Sequence, residues 1–185
     1  MNHDTDSTNI QSRHRIQVAL LLDTSNSMEG LVNQARSQLW KMVDALSEAE
    51  KDSLPPLLEI ALYEYGKSRV SYADGYIRQV TPLTTDLDWV SKELFDLSIT
   101  GSLEYCGWAI QNATGQLSWS NSEGDLRVII IAGNEAFYQG EVPFREACDQ
   151  AAEKGIVVNT IFCGSYKKAF ANYGKRGPTS PTENI

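Results

Sequence analysis

Three oxygen-bearing side chains alternate within one short segment: Asp23, Ser25 and Ser27, separated by Thr24 and Asn26. In a tight loop, side chains at alternating positions can turn toward one point, here with one carboxylate and two hydroxyls. These are hard oxygen ligands, which suit Mg²⁺, Mn²⁺ or Ca²⁺. The alternative is that the same residues satisfy loop amides and cap the next helix, as Asp and Ser often do.

The elements around this segment favour a binding site. Residues 16–22 are almost continuously apolar, which is typical of a parallel strand covered on both faces. After the segment, apolar residues recur at helical spacing and predict one buried stripe, formed by Leu31, Ala35, Leu39, Met42, Val43 and Leu46. The segment therefore follows the carboxyl end of a central strand, the edge at which open α/β sheets bind ligands.

The rest of the chain alternates strands and helices. Further strands are predicted at 57–65, 126–132 and 156–162, and helices at 31–46, 86–97, 103–117 and 143–154, the last ending at Gly155. Residues 70–72 and 76–80 flank Ala73-Asp74-Gly75, a hairpin signal that predicts an antiparallel edge. We predict an α/β fold, doubly wound and Rossmann-like, with a mostly parallel sheet, helices on both faces and one antiparallel edge strand.

Length and composition indicate one domain. The chain of 185 residues divides into a flexible polar leader at 1–14, a domain at 15–173, including a short helix after Gly164, and a flexible tail at 174–185. The leader lacks the apolar core of a secretory signal, so the chain as given is expected in the cytoplasm, or outside it if a leader has been removed. No segment is long and apolar enough to predict a membrane span.

Charge and cysteine content exclude other classes. A net charge of −8 argues against nucleic-acid binding and agrees with binding a cation. Cys106, Cys148 and Cys163 lack the spacing of a zinc site. Since Cys148 falls inside a predicted helix and Cys163 ends a strand predicted to be buried, we expect buried free thiols. Both histidines, His3 and His14, lie in the leader, which argues against a Ser-His-Asp or histidine-rich centre.

The segment from Val18 to Met28 resembles the first metal-binding motif of von Willebrand factor type A domains, and the resemblance extends in order from about Arg15 to Gly164. It implies a doubly wound α/β domain. It also implies a metal-ion-dependent adhesion site, in which Asp23, Ser25 and Ser27 hold a divalent cation. Partners of such domains commonly complete the coordination with a carboxylate of their own.

Two later loops, which carry the remaining ligands in that family, differ here. Where the family usually has a Thr shortly before a helix, this chain has Glu104, with Thr100 and Ser102 nearby. Where the family usually has Thr-Asp-Gly after a strand, this chain reads Ala132-Gly133-Asn134-Glu135. The Glu-Tyr and Gly-Asn-Glu sequences resemble a bacterial subgroup of the family. We therefore predict that Glu104, Asn134 and Glu135 contribute to a variant site; alternatively, Glu104 caps the following helix and Asn134 lies in a turn.

These features predict a noncatalytic protein-binding module. A divalent cation, preferably Mg²⁺ but also Mn²⁺ or Ca²⁺, would engage an acidic group of a protein partner. Around the site, we expect a partner-binding rim formed by Glu29, Tyr105, Phe137 and Tyr138. Two alternatives stay open: a metal-dependent phosphohydrolase or phospho-acceptor domain that uses Asp23, and a structural interaction domain without a metal.

Overall fold

The computed structural model describes residues 14–49, 54–67, 75–135 and 137–164. Five strands form one sheet there: β1 (Arg15–Asp23), β2 (Leu57–Tyr65), β3 (Ile77–Thr84), β4 (Leu126–Gly133) and β5 (Val157–Phe162). Four α-helices accompany it: α1 (Val32–Ser47), α2 (Leu87–Asp96), α3 (Cys106–Gln116) and α4 (Phe144–Glu153). The predicted leader up to residue 13, the helix after Gly164 and the tail lie outside the described residues.

The strand order β3-β2-β1-β4-β5 places β1 at the centre of the sheet. It pairs in parallel with β2 and β4, and β4 pairs in parallel with β5. The edge strand β3 is antiparallel to β2. The predicted doubly wound, mostly parallel sheet with one antiparallel edge is confirmed. Strand β3 runs to Thr84 rather than ending at residue 80, and residues 70–74 of the predicted hairpin lie outside the described ranges.

The side chains of β1 alternate between two apolar layers. Leu20 and Leu22 pack with residues of α1 and α2, whereas Ala19 and Leu21 pack with residues of α3 and α4. Burial on both faces explains why the strand is apolar at consecutive positions. Since alternate residues of a strand share a face, Asp23 follows Leu21 on the side that α3 covers.

Strand β5 differs from the predicted buried strand. Val157 is 51% exposed and Phe162 is 42% exposed, because β5 is an edge strand and, among the described residues, pairs only with β4. For the same reason Cys163, just after this strand, is only half-buried, and Cys148 of α4 is half-buried too. All three cysteines are free thiols, but only Cys106 matches the prediction of full burial.

Two smaller features complete the framework. Gly155 has a φ of +66° and ends the turn after α4, as predicted from its type. Within the described ranges, no helix is both long and apolar enough to cross a membrane.

Candidate metal centre

The loop after β1 is fixed by backbone hydrogen bonds to two neighbouring segments. The Thr24 amide donates to the carbonyl of Tyr65 at 2.9 Å, at the end of the adjacent strand β2. The Asn26 amide donates to the carbonyl of Gly101 at 2.9 Å, and the Thr100 amide donates to the carbonyl of Thr24 at 2.8 Å. The first and second predicted ligand loops are therefore joined through their main chains.

The predicted loop residues lie together around Ser25. The Ser25 amide donates to Asp23 Oδ1 at 2.8 Å, and the hydroxyls of Ser25 and Ser27 are 2.9 Å apart. Ser27 Oγ donates to Asn134 Oδ1 at 2.9 Å, and Asn134 Nδ2 donates to the Ser27 carbonyl at 2.9 Å. The structure thus brings Asn134, from the loop after β4, to the first loop, where it orients Ser27.

Glu104 lies in the loop before α3 and not inside the helix, which begins at Cys106 and not at the predicted residue 103. Leu103, which precedes the helix, forms an isolated antiparallel bridge with Gly66 and is therefore outside the helix. Glu104 Oε2 accepts a hydrogen bond of 2.6 Å from Gln139 Nε2. Sequence reasoning did not identify Gln139, because nothing local links it to Glu104.

Asp23 and Glu104 are almost completely buried, with 1% and 4% of their surface exposed. Burial raises the pKa of Asp23 to about 6, against hydrogen bonds from Ser25 and Asn134 that lower it. Burial, followed by the charge of Asp23, raises the pKa of Glu104 to about 7. No ion pair among the described residues includes either carboxyl. The charge of Asp23 acts on Glu104, and the Ser25 side chain hydrogen-bonds to both carboxyls, which indicates that the two groups face the same small volume.

The Ser25 hydroxyl has more acceptors than protons to give. Its hydrogen bonds lower the pKa of both Asp23 and Glu104, and its oxygen is also 2.9 Å from Ser27 Oγ. A hydroxyl carries a single proton, and the proton of Ser27 is used on Asn134. This cluster of oxygens is short of hydrogens, which is the arrangement that a bound cation would satisfy.

Glu135 lies in the loop after β4, directly after Asn134. Its negative charge raises the pKa of both Asp23 and Glu104, so it lies close enough to affect their ionisation. Glu135 also lines a cleft together with Gly133. Ser102, in the loop before α3, is exposed. The Thr100 hydroxyl is buried without a hydrogen-bond partner among the described residues.

Tyr65 explains why position 133 is a glycine. A Cβ placed on Gly133 would lie 2.4 Å from Tyr65 Oη and 3.2 Å from Asp23 Cβ. Tyr65 is fully buried, its hydroxyl donates to the Ala132 carbonyl at 3.2 Å, and burial raises its pKa well above the ordinary value, which keeps it a neutral donor. Position 133, where the motif of the resembled family has an Asp, therefore has no room for a side chain unless Tyr65 moves, and the second buried carboxyl near Asp23 belongs to Glu104.

The predicted rim residues have different surroundings. Glu29 is exposed and Tyr138 is 64% exposed. Phe137 is half-buried and its ring meets that of Phe144 edge-on at 5.9 Å. Tyr105 is half-buried in an aromatic cluster with Tyr76 at 5.3 Å and Trp108 at 6.2 Å. Tyr138 and Phe137 lie on the Glu135 side of the centre, whereas Tyr105 directly follows Glu104.

The donor chemistry fits a hard divalent cation. The part of the chain that the structure describes contains no cluster of three or more His, Cys, Asp or Glu side chains suited to a metal. A cation here would instead rest on Asp23, Glu104 and the hydroxyls of Ser25 and Ser27. An all-oxygen set with two carboxyls and two hydroxyls suits Mg²⁺, Mn²⁺ or Ca²⁺ better than a softer ion.

Sequence comparisons give no match, either to a family model or to a curated protein. Solved structures do share the fold. An aerotolerance-related membrane protein from Bacteroides fragilis aligns with a TM-score of 0.55 and 20% identity, covering 80% of this chain and 68% of that one. The pilus adhesin SpaC from Lactobacillus rhamnosus GG aligns with a TM-score of 0.59 and 12% identity, covering 81% of this chain and 24% of that one.

A third similar structure contains a metal ion in a metal-ion-dependent adhesion site (MIDAS). Proximal thread matrix protein 1 from the mussel byssus, with a zinc-occupied MIDAS motif, aligns with a TM-score of 0.59 and 13% identity over 81% of this chain and 38% of that one. The chain therefore spans well under half of the adhesin and of the matrix protein. Taken with the sheet order, these alignments show that the chain has the fold of a von Willebrand factor type A domain.

Proposed function

We propose that this protein is a noncatalytic binding module that holds a divalent cation with Asp23, Ser25, Ser27 and Glu104 and presents it to an acidic group of a protein partner. One observation carries the proposal: two nearly buried carboxyls share a site without any ion pair among the described residues. Buried carboxylates are usually paired or coordinate a metal. Mg²⁺ is the ion that we expect first.

The cation would take over the role of the missing positive charge. Without it, burial raises the pKa of both carboxyls, the charge of Asp23 raises that of Glu104 further, and protonation is favoured. With it, both carboxyls would be ionised and the oxygen cluster around Ser25 would be satisfied. Ser27 is exposed, so one side of the centre faces solvent. From that side, a partner carboxylate could complete the coordination.

The similar structures support an interaction role. One is a pilus adhesin and another is a byssus matrix protein with a zinc-occupied MIDAS motif. At 12% and 13% sequence identity, these two structures show only that the fold is shared. The choice of Mg²⁺ and of an acidic partner is therefore our proposal.

The surroundings of Asp23 argue against phosphoryl-transfer chemistry. Lys67 and Arg78, two cationic side chains near this edge of the sheet, are committed to the buried Glu64, at 2.9 Å and 2.5 Å. His14, the only histidine among the described residues, precedes β1 and so lies at its opposite end. Asp23 therefore has none of these groups available as a proton donor or a phosphate clamp.

The metal claim can be tested by calorimetric titration of Mg²⁺, Mn²⁺ and Ca²⁺ into chelator-treated protein. We expect saturable binding by the wild type, and a loss of affinity of about tenfold or more in Asp23→Asn and Glu104→Gln, equivalent to about 1.4 kcal/mol. Asp88→Asn and Glu153→Gln make the same chemical changes at exposed helix positions and should bind like the wild type. Absence of saturable binding by the wild type would contradict the proposal and favour a metal-free interaction domain.

Two further measurements address the open coordination position and catalysis. Metal-loaded protein should bind acetate weakly, and the chelator-treated protein should not. Incubation with p-nitrophenyl phosphate and Mg²⁺ should give no turnover above buffer. Turnover that is lost in Asp23→Asn would instead identify a phosphohydrolase.

A further inference from the structure

A cleft of about 220 Å³ opens beside the candidate metal centre, at the ends of β4 and β5 and the start of α4. Its lining includes Gly133, Glu135, Phe137, Tyr138, Phe144 and Phe162. The rings of Phe137 and Tyr138 meet that of Phe144 edge-on, at 5.9 Å and 6.1 Å between centroids. Phe162 is 42% exposed and Tyr138 is 64% exposed. Three of the rings therefore pack against one another, and the wall of the cleft is partly exposed to solvent.

Glu135 gives this aromatic cleft a single negative charge. It is the only acidic side chain in the lining, and no ion pair among the described residues includes it. A purely apolar side chain that filled the cleft would remove water from the carboxylate without replacing its hydrogen bonds, at a cost in free energy. A cationic side chain would pair with Glu135 and place its flat or aliphatic parts against the rings.

We infer that this cleft binds an arginine side chain of the same protein partner that supplies the metal-binding carboxylate. The guanidinium is planar, stacks on aromatic rings and pairs with a carboxylate through several donors, so it fits the lining better than a lysine. The inference rests on the proposed function for the neighbouring acidic residue. The arginine recognition itself depends only on Glu135 and the rings.

Gly133 places the cleft next to the metal centre, so we expect the two partner residues to be near neighbours. Gly133 lines the cleft, and a Cβ on it would lie 3.3 Å from Asp23 Oδ2, so the cleft begins directly beside the metal centre. Alternate side chains of an extended segment share a face and are roughly 7 Å apart. The partner segment should therefore carry its acidic residue and its arginine about two positions apart.

The peptides acetyl-Gly-Asp-Gly-Arg-Gly-amide and acetyl-Gly-Asp-Gly-Leu-Gly-amide test this inference when titrated into Mg²⁺-loaded protein and followed by NMR. We expect the arginine peptide to bind at least about fivefold more tightly. Glu135→Gln and Phe162→Ala should remove this preference. The controls are Glu153→Gln and Phe95→Ala, which change exposed residues outside the cleft. Equal binding of the two peptides by the wild type would overturn the inference.

A second titration separates the cleft from the metal centre. Acetyl-arginine amide should shift the signals of Phe137, Tyr138 and Phe162 in chelator-treated protein, and acetyl-leucine amide should not. Shifts without Mg²⁺-dependent acetate binding would support the cleft and contradict the proposed metal function. Acetate binding without any arginine preference would do the reverse. Thermal denaturation of each variant confirms that it is folded before its affinity is interpreted.

Discussion

The hydroxyl of Tyr65 occupies the space that a side chain at Gly133 would need. Tyr65 ends β2 and Gly133 ends β4, with β1 between them, and a Cβ on Gly133 would lie 2.4 Å from Tyr65 Oη. The contact spans the strand that carries Asp23. The glycine at position 133, which departs from the resembled motif, is therefore coupled to a buried tyrosine. The second buried carboxyl near Asp23 belongs to Glu104, in the loop before α3.

A double-mutant cycle should reveal this coupling. We expect Gly133→Ala to lower the free energy of unfolding by about 1–3 kcal/mol through overpacking. In a Tyr65→Phe background, which removes the hydroxyl, the cost should fall by about 1 kcal/mol or more. Urea denaturation measures both. Gly115→Ala is the control, since nothing lies within 4 Å of its Cβ. Strict additivity of the two changes would show that the hydroxyl does not restrict position 133.

A pair of glycines separates backbone strain from contact with the metal centre. Gly66 and Gly30 have φ values of +87° and +80°, so alanine is strained at both. A Cβ on Gly66 would lie 3.0 Å from Asp23 Oδ1, whereas a Cβ on Gly30 meets nothing within 4 Å. We expect both variants to lose on the order of 1 kcal/mol of stability. Only Gly66→Ala should weaken cation binding, and equal affinities in calorimetry would refute the contact argument.

The fold and the first loop could be predicted from local patterns. Continuous apolar residues in β1 and helical spacing in α1 each reflect burial that the segment itself encodes. The Glu104–Gln139 hydrogen bond and the Tyr65–Gly133 contact could not, because each joins distant segments through the sheet and its loops. The exposure of β5 could not be predicted for the same reason, because the sequence of a strand does not determine which other segments pack on it.

The stability of chelator-treated protein should fall as the pH rises. The folded-state pKa is about 6 for Asp23 and about 7 for Glu104, above the ordinary values of 3.8 and 4.5. Groups with raised pKa values contribute stability that is complete below the ordinary values and is lost as the pH rises through the folded values. Between pH 5 and pH 8 we expect a loss on the order of 2 kcal/mol attributable to these two groups.

Urea denaturation across that pH range measures the effect. The Asp23→Asn/Glu104→Gln double variant should lack this part of the pH dependence, and saturating Mg²⁺ should reverse it in the wild type. An identical pH profile for the wild type and the double variant would disprove the assignment of the slope to these carboxyls.

Cation affinity should depend on pH in the opposite direction. Protons compete with the metal for Asp23 and Glu104, so Mg²⁺ affinity should increase from pH 5 to pH 7 and level off above about pH 7. Calorimetric titrations in buffers of different ionisation enthalpy would count the protons released on binding. Release of no protons at pH 6 would mean that the cation binds elsewhere.

The central claim is that one cation joins Asp23 of the first loop to Glu104 of the second. Anomalous diffraction from crystals grown with Mn²⁺ tests it most directly. We expect a single strong peak in contact with Asp23, Glu104 and the hydroxyls of Ser25 and Ser27. Two results would contradict the claim. One is the absence of a peak at this site, and the other is an ion that Glu104 does not contact because its side chain is still hydrogen-bonded to Gln139.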